Sequence, residues 1–96
     1  MNGKLRSKEA DLLIEGMMYL DTPEDYYNFF EDLLTVAELK SLAVRFAVAK
    51  LLFEGKTYNE VAALTGASTA TISRISRSLG WGADGYHSVL RRMNKS

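Results

Sequence analysis

Residues 68–79, STATISRISRSL, combine small hydroxyl side chains with two arginines and contain no acid. Ser68, Thr69, Ala70, Thr71 and Ser73 are short. A backbone carrying them can approach base edges closely, donate to phosphate oxygens or touch a thymine methyl. Arg74 and Arg77 follow, and guanidinium groups neutralise phosphates. If a helix opens at Ser68, its N-terminus adds unpaired backbone N–H groups and a favourable dipole end. This chemistry suits double-stranded DNA. A plain helical hairpin with a glycine turn would explain buried isoleucines, but not a Ser/Thr-rich face without acids.

Such a face needs a scaffold, and YNEVAALTGASTATISRI (residues 58–75) supplies one. A helix-turn-helix unit requires an apolar residue on its first helix and a small one where the helices cross. It also requires a turn residue tolerant of left-handed backbone and apolar residues that pin the second helix. Val61, Ala62, Gly66, Ala67, Ile72 and Ile75 fill those roles in order. Thr65 departs from the pattern, because the position before the turn glycine is usually apolar. The unit is expected over residues 57–79.

Helix signals continue outside it, and no strand-like alternation does. Six helices are expected. The first runs over 7–20, with Leu12, Leu13, Met17 and Leu20 as an apolar stripe weakened by Gly16. The second opens with Thr22 as N-cap, Pro23 at the first helical position and Asp25 three residues after the cap. The third opens at Thr35 with Glu38 and stops before Gly55. The fourth opens at Thr57 with Glu60, and the fifth covers 68–79 with Gly80 as its stop. A loop over 80–85 leads to a last helix at 86–93, and residues 94–96 are expected to fray.

In the third helix, residues 42–53 hold only Arg45 and Lys50 as polar side chains. A helix apolar nearly all round must be covered on nearly all sides. Ninety-six residues leave little material for that. A central helix shared in a two-fold homodimer is therefore expected, with a buried helix in a compact monomer as the alternative.

Charge is divided along the chain. Residues 1–38 carry three basic and nine acidic side chains, −6, and residues 39–96 carry nine basic and three acidic, +6. One end is thus suited to an anion. With no cysteine and one histidine, His87, there is no disulfide framework, thiol nucleophile or His-based metal site to build. No metal is expected. No apolar run reaches bilayer length and no signal peptide is evident, so a cytoplasmic protein without a membrane role is expected. The acidic residues of 21–38 have no base, nucleophile or phosphate loop converging with them, so no enzyme is expected.

LLTVAELKSLAVRFAVAKLLFEGKTYNEVAALTGASTATISRISRSL resembles the tryptophan repressor superfamily, most closely its YerC/YecD-type members. The resemblance implies a bacterial, all-α, six-helix fold that forms an intertwined homodimer. In it, 1–96 is a single DNA-binding domain: 1–54 the dimerisation core, 57–79 the helix-turn-helix, 85–93 the C-terminal helix. Recognition helices would enter successive major grooves about 34 Å apart. The function implied is a transcriptional regulator, most simply a repressor, found at the nucleoid when bound to DNA. The alternative is a helical dimerisation or protein-interaction module built on the same fold.

The resemblance also implies a ligand pocket with Arg45 and Arg74 as walls, Ser78 near an amino group, and Leu34 and Thr35 from the partner subunit. Ile75 stands where the repressor has a pocket glycine, and Asp32 where it has leucine. Overpacking of this kind typically costs about 1–3 kcal/mol. L-tryptophan is therefore not expected as corepressor and no cofactor is expected; a smaller, unidentified effector stays open. Arg45 has a structural alternative, pairing with an acid or a carbonyl. The guanine-reading arginine of the family has no match, since Asn59 and Glu60 occupy its region. Tyr26, Tyr27, Phe29 and Phe30 are expected in the core and dimer interface, Trp81 packed on the motif, and His87 at the surface or capping a helix. Arg91, Arg92 and Lys95 are either phosphate contacts or a solvated tail.

Overall fold

The computed structural model describes residues 5–95. Residues 1–4 and Ser96 lie outside it, and with them Lys4, the outer bounds of the expected 1–96 domain and the expected fraying of Ser96. Among the described residues run six helices and no strand. They are α1 (Lys8–Met17), α2 (Pro23–Leu33), α3 (Val36–Phe53), α4 (Tyr58–Thr65), α5 (Thr69–Trp81) and α6 (Gly85–Asn94). The fold is all-α.

Side chains fix where α1 to α4 begin. Ser7 accepts a hydrogen bond from the Ala10 N–H at 3.0 Å. Thr22 accepts from the Asp25 N–H at 3.2 Å while the Asp25 carboxylate accepts from the Thr22 N–H. The same reciprocal pair recurs at Thr35 with Glu38 and at Thr57 with Glu60, at 2.8 and 3.1 Å each. Each satisfies two amides that a helix start would leave unbonded. The backbone N–H groups of Thr22, Thr35 and Thr57 hold the Asp25, Glu38 and Glu60 carboxyls below the usual carboxylate range.

The chain divides into two compact units between residues 39 and 40. In the first, α1 and α2 bury no residue. Phe30 meets Tyr26 edge-on and Phe29 at a tilt, both at 6.2 Å between ring centres. The second unit has a core of Val48 and Ala49 from α3, Val61 from α4, Ile72 and Ile75 from α5 and Leu90 from α6. Each is at most 4% exposed. Phe46, Leu52, Phe53 and Leu79 pack around them. Full burial of one such large apolar side chain contributes about 1.5–3 kcal/mol.

Two helix ends differ from expectation. The helical stretch of α1 stops at Met17 and a short turn carries the chain to Leu20, whose N–H bonds the Met17 carbonyl at 3.1 Å. Gly80 does not end α5, which continues to Trp81. The stop is Gly82, where the chain turns out to ψ −159° and a Cβ would collide with the Ser78 carbonyl oxygen. Trp81 is therefore helical and 90% exposed, not packed on the motif. Tyr26 and Tyr27 are likewise exposed, and Phe29 and Phe30 only half-buried.

Candidate nucleic-acid interface

The three residues between α4 and α5 set how the two helices meet. Gly66 adopts φ +73°, a left-handed conformation that a side chain would strain. Thr65 explains its departure from the usual apolar type. Its half-buried hydroxyl donates to the Val61 carbonyl at 2.7 Å and accepts from the Ala67 N–H at 3.1 Å. One side chain thereby closes the end of α4 and holds the turn. Ser68 then caps α5, accepting from the Thr71 N–H at 3.1 Å and donating to the Thr71 hydroxyl at 3.1 Å.

Two faces of α5 follow from helical spacing. Ile72, Ile75 and Leu79 turn toward the core. Ser68, Thr69, Ala70, Arg74 and Arg77 are exposed, and Ser73 is half-buried among them. The helix holds no acidic residue in its first turn or beyond it. The side-chain ion pairs among the described residues are Lys50–Glu54 and Arg91–Asp84, so neither Arg74 nor Arg77 is tied to an acid there. Thr71, unlike Thr69 and Ala70, is not on the open face. It is half-buried and lines a hollow.

That hollow has a volume of about 200 Å³ and is lined by Arg45, Thr71, Arg74, Ile75, Ser78 and Tyr86. Four of the six residues expected for a ligand pocket thus come together: Arg45, Arg74, Ile75 and Ser78. Leu34 and Thr35 lie in the first unit. There they border a separate hollow of about 210 Å³ with Tyr27, Phe30 and Leu39, and the Thr35 hydroxyl is engaged in its capping box. Asp32 is exposed on α2. Arg45 is exposed and pairs with no acid among the described residues. Ile75 is only 4% exposed and belongs to the core, so its side chain is packed rather than hanging into open space.

Tyr86 was not legible as a member of this group. Its ring packs against Phe46, 6.4 Å between centres. Together with Ser78, it separates the polar hollow from an apolar groove of about 490 Å³ lined by Phe46, Ala83 and Val89 among others. His87 serves as a cap, one of its two expected roles. Its Nε2–H donates to the Leu79 carbonyl at 2.8 Å, and its ring meets Phe53 edge-on at 5.5 Å. Arg91 pairs with Asp84 at 3.2 Å. Asp25 and Glu38, two of the acids in the 21–38 stretch, are occupied as caps. No metal-ligating group of His, Cys, Asp or Glu forms among the described residues, and no helix there is long and apolar enough to cross a membrane.

Comparison with known proteins gives a consistent relationship. The family model described as Trp repressor protein matches residues 8–94. The chain is 47% identical over 93 residues to the uncharacterized protein YerC of Bacillus subtilis (strain 168), covering 97% of this chain and 89% of that one. It is 35% identical over 77 residues to a Trp operon repressor homolog of Chlamydia caviae, covering 79% of this chain and 76% of the other. A crystal structure of a TrpR like protein from Eubacterium eligens ATCC 27750 superposes with a TM-score of 0.91 at 46% identity, over 97% of this chain and 96% of that one. By sequence along nearly its whole length and by fold, the chain belongs to the Trp repressor protein family.

Proposed function

We propose that this protein is a transcriptional regulator that binds double-stranded DNA as a homodimer through helix-turn-helix α4–α5, most simply as a repressor. The observation that carries this is the exposed, acid-free face of α5, with Thr69, Ala70, Ser73, Arg74 and Arg77 on one side and the isoleucines on the other. The family is one of regulators rather than enzymes, which supports the same reading. Homodimerisation is supported by the first unit, where α1 and α2 hold no fully buried residue in one chain and Leu12, Ile14, Met18 and Tyr27 are large and exposed. Exposed apolar surface on that scale marks an interface.

Selection of bound sequences from a random duplex pool tests the proposal. A selected consensus is expected. Arg74→Ala should weaken binding to every duplex, because a phosphate contact carries no base information. Thr69 and Ser73 substitutions should change preference at particular base pairs, by about 1–3 kcal/mol each. A chain that dimerises but retains no duplex would be the interaction module instead.

L-tryptophan is not the effector in this proposal. The hollow beside Ile75 is polar, with two arginines and the hydroxyl residues Thr71, Ser78 and Tyr86 around it, which suits an anion better than an indole ring. An effector held between Arg45 and Arg74 would be anionic. Calorimetry with L-tryptophan should show no binding at micromolar concentration, and micromolar affinity would overturn the exclusion.

A further inference from the structure

We infer that His87 is a positioning residue for DNA binding, holding the last turn of α5 from outside and, through it, Arg77. The inference rests on reading α5 as the DNA-facing helix. The last carbonyls of a helix have no intrahelical partner. At the end of α5, the Gly82 N–H returns to the Ser78 carbonyl at 2.9 Å, and the chain then leaves helical geometry. The next carbonyl, Leu79, takes the Nε2–H of His87 at 2.8 Å. This donor comes from α6, eight residues along the chain. The His87 ring is half-buried and meets Phe53, the last residue of α3, edge-on. Phe53 and Leu79 both pack on the core. One imidazole therefore joins the ends of α3 and α5 to the start of α6.

Position along α5 decides which contacts depend on this. Arg77 is two residues from Leu79, about 3 Å along the axis, whereas Thr69 is ten residues away, about 15 Å. Releasing the Leu79 carbonyl frees the turn that carries Arg77 more than the turn that carries Thr69. The expected signature is weaker binding to all duplexes with unchanged base preference. A general loss of folding would lower affinity only through the folded fraction.

Two variants separate the donor from the ring. His87→Phe keeps an aromatic ring beside Phe53 and removes the N–H; His87→Gln keeps an N–H donor and removes the ring. Labelled-duplex binding and amide hydrogen exchange at residues 80–83 are measured on wild type and both variants. His87→Phe should bind about five- to tenfold more weakly, as loss of one hydrogen bond predicts, and its last-turn amides should exchange faster. His87→Gln should restore both to within about twofold. Wild-type affinity in His87→Phe, or a loss in His87→Gln equal to that in His87→Phe, overturns the inference. If His87→Phe does not fold, His87→Gln decides alone: retained affinity supports the inference and a fivefold loss overturns it. A wild-type chain that holds no duplex overturns the DNA reading itself, and exchange at residues 80–83 then judges the clamp separately.

Discussion

Helices α1 and α2 of the first unit and α4, α5 and α6 of the second use apolar side chains at helical spacing in the same way, yet only the second group buries them fully. Ile72 on α5 is 1% exposed; Leu12 on α1 is 69% exposed. Both sequences look amphipathic, and composition alone would not separate them. The difference lies in what each face meets. The faces of α4, α5 and α6 close on Val48 and Ala49 of α3, while no residue of α1 or α2 is fully buried within one chain. An amphipathic helix whose apolar face stays largely exposed in its own chain draws little stability from that chain, since most helical stability in proteins comes from packing. The region expected to touch DNA has its own core, and the region before it holds the exposed apolar surface on which the proposed homodimer rests.

This contrast is open to direct challenge. The largest effect is expected at Ile72→Ala, which should destabilise by about 2–5 kcal/mol through a core cavity. Its lowered melting temperature should shift in parallel with wild type at every protein concentration. Leu12→Asp should behave differently. It should leave a chain that melts like wild type at low concentration but gains less stability as concentration rises, because what it harms is association. Thermal unfolding over a hundredfold range of concentration separates the two, and identical behaviour would remove the distinction.

A smaller effect belongs to the turn. Thr65→Val keeps the shape and removes the hydroxyl that bonds Val61 and Ala67, and should cost about 1 kcal/mol, with Thr65→Ser restoring most of it. The smallest effect is acidic fraying of the caps. Asp25, Glu38 and Glu60 have folded-state pKa values held below their ordinary ones by backbone N–H groups. Their contribution is therefore present above the ordinary carboxylate pKa, about 4, and is lost as pH falls through the depressed values. Two of these caps start α2 and α3, whereas α5 is capped by Ser68, which does not titrate. Amide exchange near pH 3 should therefore rise at the starts of α2 and α3 before it rises at the start of α5.

Much of the fold was written locally. Thr22-Pro23, Thr35 with Glu38 and Thr57 with Glu60 each mark a helix start within four residues, and Gly66 marks the turn. Ends were harder. Gly80 and Gly82 look alike in sequence, and only the approach of the Ser78 carbonyl to Gly82 decides between them. The face of α5 was legible because it depends on residue type at helical spacing. The Thr65 hydroxyl gave a visible signal, an unusual residue before the turn, but its two partners did not. Capping was one of two roles expected of His87, but its partner Leu79 gave no signal, nor did Tyr86 beside Arg45, because both depend on how α6 returns to α3 and α5.

The central claim is that α5 meets DNA through its arginines in a pair of chains. Its most direct test is the binding of a labelled duplex as salt is raised. With Arg74 and Arg77 from each of two copies neutralising phosphates, affinity should fall about a hundredfold between about 50 and 200 mM salt, with a straight dependence on the logarithm of salt. Binding that is absent at low salt, or that does not change across this range, would contradict the account.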